Sequence, residues 1–399
     1  MATAPIAADR RPSAESSRLT SAEAHALRRV ILAGGALRLG CAVVLHWTGY
    51  SRLLAPDERT YAEEGWAITL YWLGDVVTRP WRYSSGEPIG YFQLNALFFA
   101  IFGHTEIPIK IATALIGAFT IRYVYLIARE LYGPSVAHRA ALYAAYLPSL
   151  VLWSSVNIRD AWVIFLLVVA CWLGLSIQKG GSPLVVVKYA LIVFIVSRFR
   201  DYLVYILLIT PVAALLMTRG EKRSRNFLVA TVISLVGLVM IQQGIVGHRT
   251  ENRLSLEAIA ELRQSMATGG SAFQAQADIS TPGAALLFLP IGLAYFLFSP
   301  FPWQITSLLK AISLPEMLFL YSLTPAIIRG LLWTFRRRFQ ESSPMLLLIG
   351  LIAASYALSS GNVGTMYRHR AQALVFFLIL AALGMQVRGR PHSDPRQES

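Results

Sequence analysis

Long apolar runs, separated by short polar, basic or proline- and glycine-marked breaks, dominate the chain from residue 28 onward. Runs at 28–48, 107–129, 139–155, 160–178, 184–199, 201–218, 226–244, 312–334, 344–360 and 371–387 approach or reach the roughly 17 to 25 residues that cross a bilayer as a helix. The pattern predicts an all-α polytopic membrane protein with about ten crossings.

Lys and Arg set the expected orientation, because basic loops stay in the cytoplasm. "TRGEKRSRN" (218–226) and "FRRRFQ" (335–340) are the strongest inside markers, and Arg28, Arg29, Arg388 and Arg390 agree with them. The loops at 49–106 and 245–283 and the turn at 361–370 then lie outside. Two more apolar stretches, 88–103 and 284–303, break this alternation if they cross fully; the second carries Pro290, Pro300 and Pro302. Both are expected as juxtamembrane or re-entrant pieces on the outer face, where irregular backbone survives only under protein or beside a cavity. The domain reading is a disordered cytoplasmic tail at 1–27, a transmembrane domain at 28–387 and a cytoplasmic tail at 388–399.

Composition sharpens this picture. Only 15% of the 399 residues are charged and 55% are hydrophobic, against about 25% charged in a soluble domain. The net charge of +14 belongs to inner loops, and no soluble basic domain exists to carry nucleic-acid binding. Cys41 and Cys171 lie within apolar runs and read as small core residues. His104, His138, His248 and His369 form no spaced metal cluster and read as polar loop residues. No phosphate loop, hydrolase elbow or internal repeat is present.

One passage stands against the apolar background. "LLAPDERTYAEEGWAITLYW" (53–72) gathers Asp57, Glu58, Glu63 and Glu64 beside Tyr61 and Trp66. Pro56 and Asp57 mark a helix start, with Asp57 as N-cap; Thr60 and Glu63 have the spacing of a capping box and mark an alternative one. On that helix Asp57, Tyr61, Glu64 and Ile68 share one face, while Ala62, Trp66, Leu70 and Leu73 share the other. The expected picture is a helix lying on the outer membrane surface, with Trp66 at headgroup level and the acids held above it. A dipole or cap role needs one acid; two adjacent acids and a facing tyrosine point to a site.

"PDERTYAE" resembles the Asp-Glu-x-x-Tyr-Ala motif of the polyprenyl-phosphate-sugar-dependent transferases with the GT-C fold. That family includes the protein O-mannosyltransferases and the lipid A aminoarabinose transferases. "EPIGYFQLNALFFAIFGHTEIPIKIATALIGAFTIRYVYLIARELYG" and "PSLVLWSSVNIRDAW" are similar to its next two blocks, so the resemblance covers roughly residues 28–180. It implies a GT-C-like bundle in a bacterial cytoplasmic membrane, with an outward-facing site. It also implies a sugar donor carried on polyprenyl phosphate, a glycan, lipid or protein acceptor, and inversion at the sugar. Many relatives carry Glu-Lys-Pro-Pro before the Gly-Tyr; here Ser85 and Gly86 stand in place of the Glu-Lys pair, and Glu87 is the acid placed to substitute.

The resemblance gives Asp57 the role of general base, with Glu58 and Tyr61 orienting it or the acceptor. The departing phosphate needs guanidinium donors or a divalent metal (Mg, Mn or Zn). Arg159, Arg198, Arg200, Arg368 and Arg370 all map to the outer side, with Tyr367 among them, and are the substrate-binding candidates. Bland alternatives stand beside this reading: Arg200 pairing with Asp201, and Arg368 and Arg370 snorkelling to headgroups. Asp160 opens a helix after Asn157; it is either a dipole partner or, as the family implies, a catalytic neighbour of Asp57 and with it a metal ligand. Competing functions are a polymerase or ligase acting on diphosphate-linked glycans, which needs no acidic pair, and a transporter, which needs ionisable groups at mid-membrane.

Overall fold

The computed structural model describes residues 19–85, 89–217, 223–243, 255–267, 272–274, 277–305 and 311–388. Much of the predicted tails, Glu87 and parts of the outer loop at 245–283 lie outside the described residues. Among those described, helices joined by turns and loops make up the regular structure, with no strand and one isolated bridge between Ala272 and Asn362.

The chain opens with α1 (Ser21–Thr48), α2 (Tyr50–Leu54), α3 (Asp57–Leu73), α4 (Arg82–Ser85), α5 (Gly90–Phe102) and α6 (Ile107–Tyr132). It continues with α7 (Pro134–Tyr146), α8 (Pro148–Trp153), α9 (Asp160–Gln178), α10 (Pro183–Phe199), α11 (Leu203–Met217) and α12 (Arg223–Gln242). Helices α13 (Leu256–Met266), α14 (Pro282–Phe298), α15 (Leu314–Arg337), α16 (Phe339–Ser359) and α17 (Val363–Arg388) complete it.

Six of these, namely α1, α6, α9, α15, α16 and α17, are long and apolar enough to cross a membrane. The molecule is an all-α polytopic membrane protein. The other expected crossings near 184–199 and 201–218 appear as the shorter α10 and α11, of 17 and 15 residues. The helix α12 covers most of the expected 226–244 run, up to Gln242. Helices α9 and α17 form the centre; 78% of the apolar window of each is buried within the protein. Helix α17 lies parallel to α15 at very short range, since a Cβ on Gly330 would meet the Leu380 carbonyl and one on Gly384 that of Ala326. Small residues allow such backbone approach between membrane helices.

The run predicted as one span at 139–155 is broken. Leu147 is extended (φ −63°, ψ 123°) and separates α7 from α8. Pro148 has no N–H to give to Ala144, and the Ser149 N–H turns to Glu316 Oε2 at 2.6 Å. The two carbonyls left over are taken by Arg38 of α1: Nη2 donates to Ala144 O and Nη1 to Ala145 O, both at 2.8 Å. The buried guanidinium therefore completes the hydrogen bonding of a helix break that water cannot reach.

Helix α14 packs against α16 and against the first turns of α17. Its C-terminal end reaches the second turns of α15 and α17, where Tyr321 donates to Phe298 O (2.7 Å) and Arg370 to Ser299 O (2.7 Å). Helix α3 pairs with α5 rather than lying free on a surface. Gly65 permits this, because a Cβ there would come within 2.6 Å of Asn95 Cβ. Trp66 stacks on His104 (ring centroids 4.4 Å) and meets Phe99 edge-on.

Candidate active site

Two helix starts, one helix end and the second turn of a fourth helix converge. Asp57 opens α3, Asp160 opens α9, Arg200 closes α10, and Arg368 projects from the second turn of α17. Arg368 sits between the two aspartates: Nη1 is 2.5 Å from Asp57 Oδ2, and Nε and Nη2 are 2.7 and 2.5 Å from Asp160 Oδ2. Arg200 Nη2 takes the other oxygen of Asp160 at 2.9 Å. The Asp160 side chain is fully buried, whereas that of Asp57 is 54% exposed.

This arrangement decides several of the alternatives left by the sequence. Helix α3 begins at Asp57 with Pro56 in the cap position and no side-chain cap bond, so the Asp57 carboxylate is not spent on capping. The Thr60 start is not used, and Glu63 pairs with Arg59 at 2.6 Å. Arg200 does not pair with Asp201, whose Oδ1 accepts the Tyr202 N–H. Neither Arg368 nor Arg370 reaches for headgroups. Arg368 joins the aspartates, while Arg370 is buried and donates to the carbonyls of Leu297 and Ser299.

The inward face of α3 is displaced by one position from the expected one. Glu58, Tyr61, Ala62, Gly65, Ile68 and Thr69 are buried, because the close crossing with α5 at Gly65 sets the rotation. Glu58 thus leaves solvent, and its Oε1 accepts the Asn157 N–H (2.7 Å) and pairs with Lys110 Nζ (2.9 Å). Asn157 also accepts from Tyr91 OH (2.8 Å) and donates to Asn95 Oδ1 (2.7 Å). This network ties the acidic helix and α5 to the turn that delivers Arg159 and Asp160. Tyr61 packs edge-on against Tyr91 at 4.8 Å, and burial raises the pKa of its phenol.

Arg159 Nη1 donates to Phe199 O at 3.0 Å, and its buried Nε has no partner among the described residues. The Arg198 side chain makes no hydrogen bond or ion pair among them; its backbone packs against Gly90, where a Cβ would meet the Arg198 carbonyl at 2.5 Å. Tyr367 turns the other way from Arg368, its hydroxyl 3.4 Å from Glu316 Oε2 and its ring edge-on to Trp153 at 6.1 Å. Of the arginine candidates, then, Arg200 and Arg368 meet at Asp160, Arg159 adjoins it in the chain, and Arg370 is engaged elsewhere.

Sequence reasoning did not single out Asn157, Lys110, Tyr202 or Tyr356, and it placed His369 in a loop. His369 lies on α17, where Arg200 Nη1 donates to its Nε2 at 2.9 Å and to Tyr202 OH at 2.7 Å. Tyr202 OH in turn lies 2.7 Å from Tyr356 OH, which donates to Gln372 Oε1 at 2.9 Å. A lysine within the apolar run of α6 was the one available signal for Lys110, since an intramembrane charge needs a partner.

Asp57 and Asp160 are also the two residues offered for a metal. Both are engaged by the Arg368 guanidinium, which stands where a bridging ion would have to sit, and among the described residues no three His, Cys, Asp or Glu side chains converge. This donor set does not fit a resident divalent ion.

Residues 86–244 match the family of dolichyl-phosphate-mannose-protein mannosyltransferases. That match supports a GT-C glycosyltransferase family for this chain. The matched segment includes Arg159, Asp160, Arg198 and Arg200; Asp57 and Arg368 fall on either side of it and are joined to it only by the fold. No curated protein matches the chain.

Proposed function

We propose that this membrane glycosyltransferase moves a sugar from a polyprenyl-phosphate carrier to a hydroxyl or amide of a glycan, lipid or protein acceptor. The transfer takes place on the non-cytoplasmic face of a bacterial cytoplasmic membrane, with inversion at the sugar. The observation that carries the assignment of roles is the bridge Asp57–Arg368–Asp160, formed around the first residue of a helix in the matched segment.

The chemistry follows from charge and exposure. The donor is a phosphodiester with one negative charge; when the bond between sugar C1 and the phosphate oxygen breaks, the electron pair leaves with a polyprenyl phosphate carrying additional charge. Fixed guanidinium groups aimed at that oxygen stabilise the change. Arg368 and Arg159 are assigned this task, with Arg200 holding Asp160 and, through it, Arg368. A phosphate arriving beside Arg368 competes with Asp57 for Nη1. The released, solvent-facing carboxylate accepts the acceptor's proton as the new bond to C1 forms. Glu58 is a positioning residue in this scheme: it is fully buried, and its Oε1 accepts the Asn157 N–H of the turn before Asp160.

The test is sugar transfer from a labelled polyprenyl-phosphate donor in liposomes, comparing the wild-type protein with Asp57→Asn. The expected result is transfer by the wild type and a loss of about 10²-fold or more in the variant, the scale of a lost general base. A fully active Asp57→Asn protein removes Asp57 from the chemistry, and a wild-type protein inert toward such donors overturns the reading.

A further inference from the structure

Helical periodicity in "SLEAIAELRQSMA" (255–267) puts Leu256, Ile259 and Leu262 on one stripe of α13. Leu256 and Ile259 do pack against the small outer cluster of Phe273, Phe288 and Val363. The most deeply buried residue of α13, however, is Arg263. Its Nη1 donates to Ser360 O at 2.9 Å, and its Nη2 to Phe273 O and Gln274 O at 3.0 and 3.2 Å. The guanidinium also lies over the Phe288 ring at 4.3 Å. A buried cation held by carbonyls alone is costly, so the site is built for a specific geometry. Around it, the Phe273 N–H donates to Gly361 O at 2.9 Å, and Gly361 lies so close to the Arg263 carbonyl that a Cβ would collide with it.

The three residues 360–362 held in this way are the link between α16 and α17. Asn362 then caps α17, its Oδ1 accepting the N–H of Gly364 (2.9 Å). Arg368 follows in the second turn of the same helix. We propose that Arg263 is a positioning residue for transfer: by clamping the 360–362 link, it fixes the start of α17 and so the place of Arg368 between Asp57 and Asp160. The proposal rests on the reading of Arg368 as a phosphate ligand, and it gives the second outer loop a purpose that its sequence does not declare.

The experiment uses the full-length protein with cysteines at the bridged pair, Ala272→Cys with Asn362→Cys, with and without Arg263→Ala. Opposed residues of an antiparallel bridge stand about 4.5 to 5.5 Å apart, within reach of a disulfide. In the reduced state Arg263→Ala is expected to lower transfer by about 10- to 100-fold, the scale of a misplaced catalytic group. Oxidation of the same protein is expected to restore transfer to within about threefold of the cysteine pair that keeps Arg263. Amide hydrogen exchange across 363–369 is expected to rise in Arg263→Ala and to fall again on oxidation. Transfer unaffected by Arg263→Ala, or still lost after the disulfide has formed, overturns the proposal, as does exchange that ignores both changes. The exchange arm needs no substrate. A wild-type protein that transfers nothing therefore defeats the transferase reading alone, while exchange still decides whether Arg263 fixes α17.

Discussion

Arg368 and Asp57 are 311 positions apart in the chain and 2.5 Å apart in space. The same guanidinium holds Asp160, but the two pairs differ in kind: Asp57 is 54% exposed, and Asp160 is fully buried. An exposed pair is worth about 0 to 1 kcal/mol, whereas breaking a buried one leaves charge without solvent or partner. An incoming phosphate can therefore take Arg368 away from Asp57 far more easily than from Asp160. The asymmetry suits a base that must be released and an aspartate that must not be.

That difference predicts opposite stability outcomes for two chemically identical changes. Asp57→Asn is expected to melt close to the wild type. Asp160→Asn leaves Arg200 and Arg368 facing an amide inside the protein, at a cost on the order of 3 to 5 kcal/mol, and should melt well below it. Both should lose transfer, so melting curves in detergent carry the distinction. Equal melting points for the two variants would mean that Asp160 is not the anchor of the cluster.

Arg159 is expected to act on the donor rather than on the fold. Its Nη1 rests on a backbone carbonyl and its Nε has no partner among the described residues, so little internal pairing there is lost on removal. Arg159→Ala should raise the apparent KM for the polyprenyl-phosphate donor with a smaller effect on the acceptor KM. Arg159→Lys should recover only part of it, because an ammonium lacks the planar fork. Unchanged donor kinetics in Arg159→Ala would leave the phosphate to Arg368 alone.

Much of this site was legible one residue at a time. The acidic helix start, the aspartate opening α9 and the outer arginines were each visible as polar groups in apolar surroundings. What could not be read was which way each side chain turns. Arg368 and Arg370 both lie on α17, but residues two apart on a helix point about 200° apart, so one reaches Asp160 and the other the end of α14. Likewise, the rotation of α3 depends on Gly65 meeting Asn95, a contact between helices that periodicity within α3 does not contain. The break at Leu147 followed from Pro148, yet its repair by Arg38 links positions 106 and 107 residues away.

The buried pair Glu58–Lys110 lends itself to a double-mutant cycle. Lys110→Met leaves Glu58 charged and buried beside Asn157, and Glu58→Gln leaves Lys110 without its 2.9 Å partner. Each single change is expected to destabilise by about 3 to 5 kcal/mol, and the double change Glu58→Gln with Lys110→Met by clearly less than their sum. The glutamine still accepts the Asn157 N–H, so the turn before Asp160 keeps its tether in the double variant, and transfer should partly persist. Additive losses in melting temperature would show that the two side chains do not act as a pair.

The outward placement of the site can be tested without any substrate. Helix α9 starts at Asp160 and runs 19 residues, a rise of about 28 Å, close to the hydrocarbon thickness of a bilayer. Gly180, just past its end, should therefore lie on the face opposite the aspartates, as should Arg336 in the last turn of α15. Val77 beyond α3, Glu257 on α13 and Gly364 at the start of α17 are exposed and belong to the aspartate side. With Cys41 and Cys171 replaced by alanine, single cysteines at these five positions can be challenged with a membrane-impermeant thiol reagent on intact cells. Val77→Cys, Glu257→Cys and Gly364→Cys should react directly, and Gly180→Cys and Arg336→Cys only after permeabilisation. The basic segments at 218–226 and 335–340 require that outcome if they stay inside. The reverse pattern would put the site in the cytoplasm, and a split among the first three would break the assignment of both outer loops to one face.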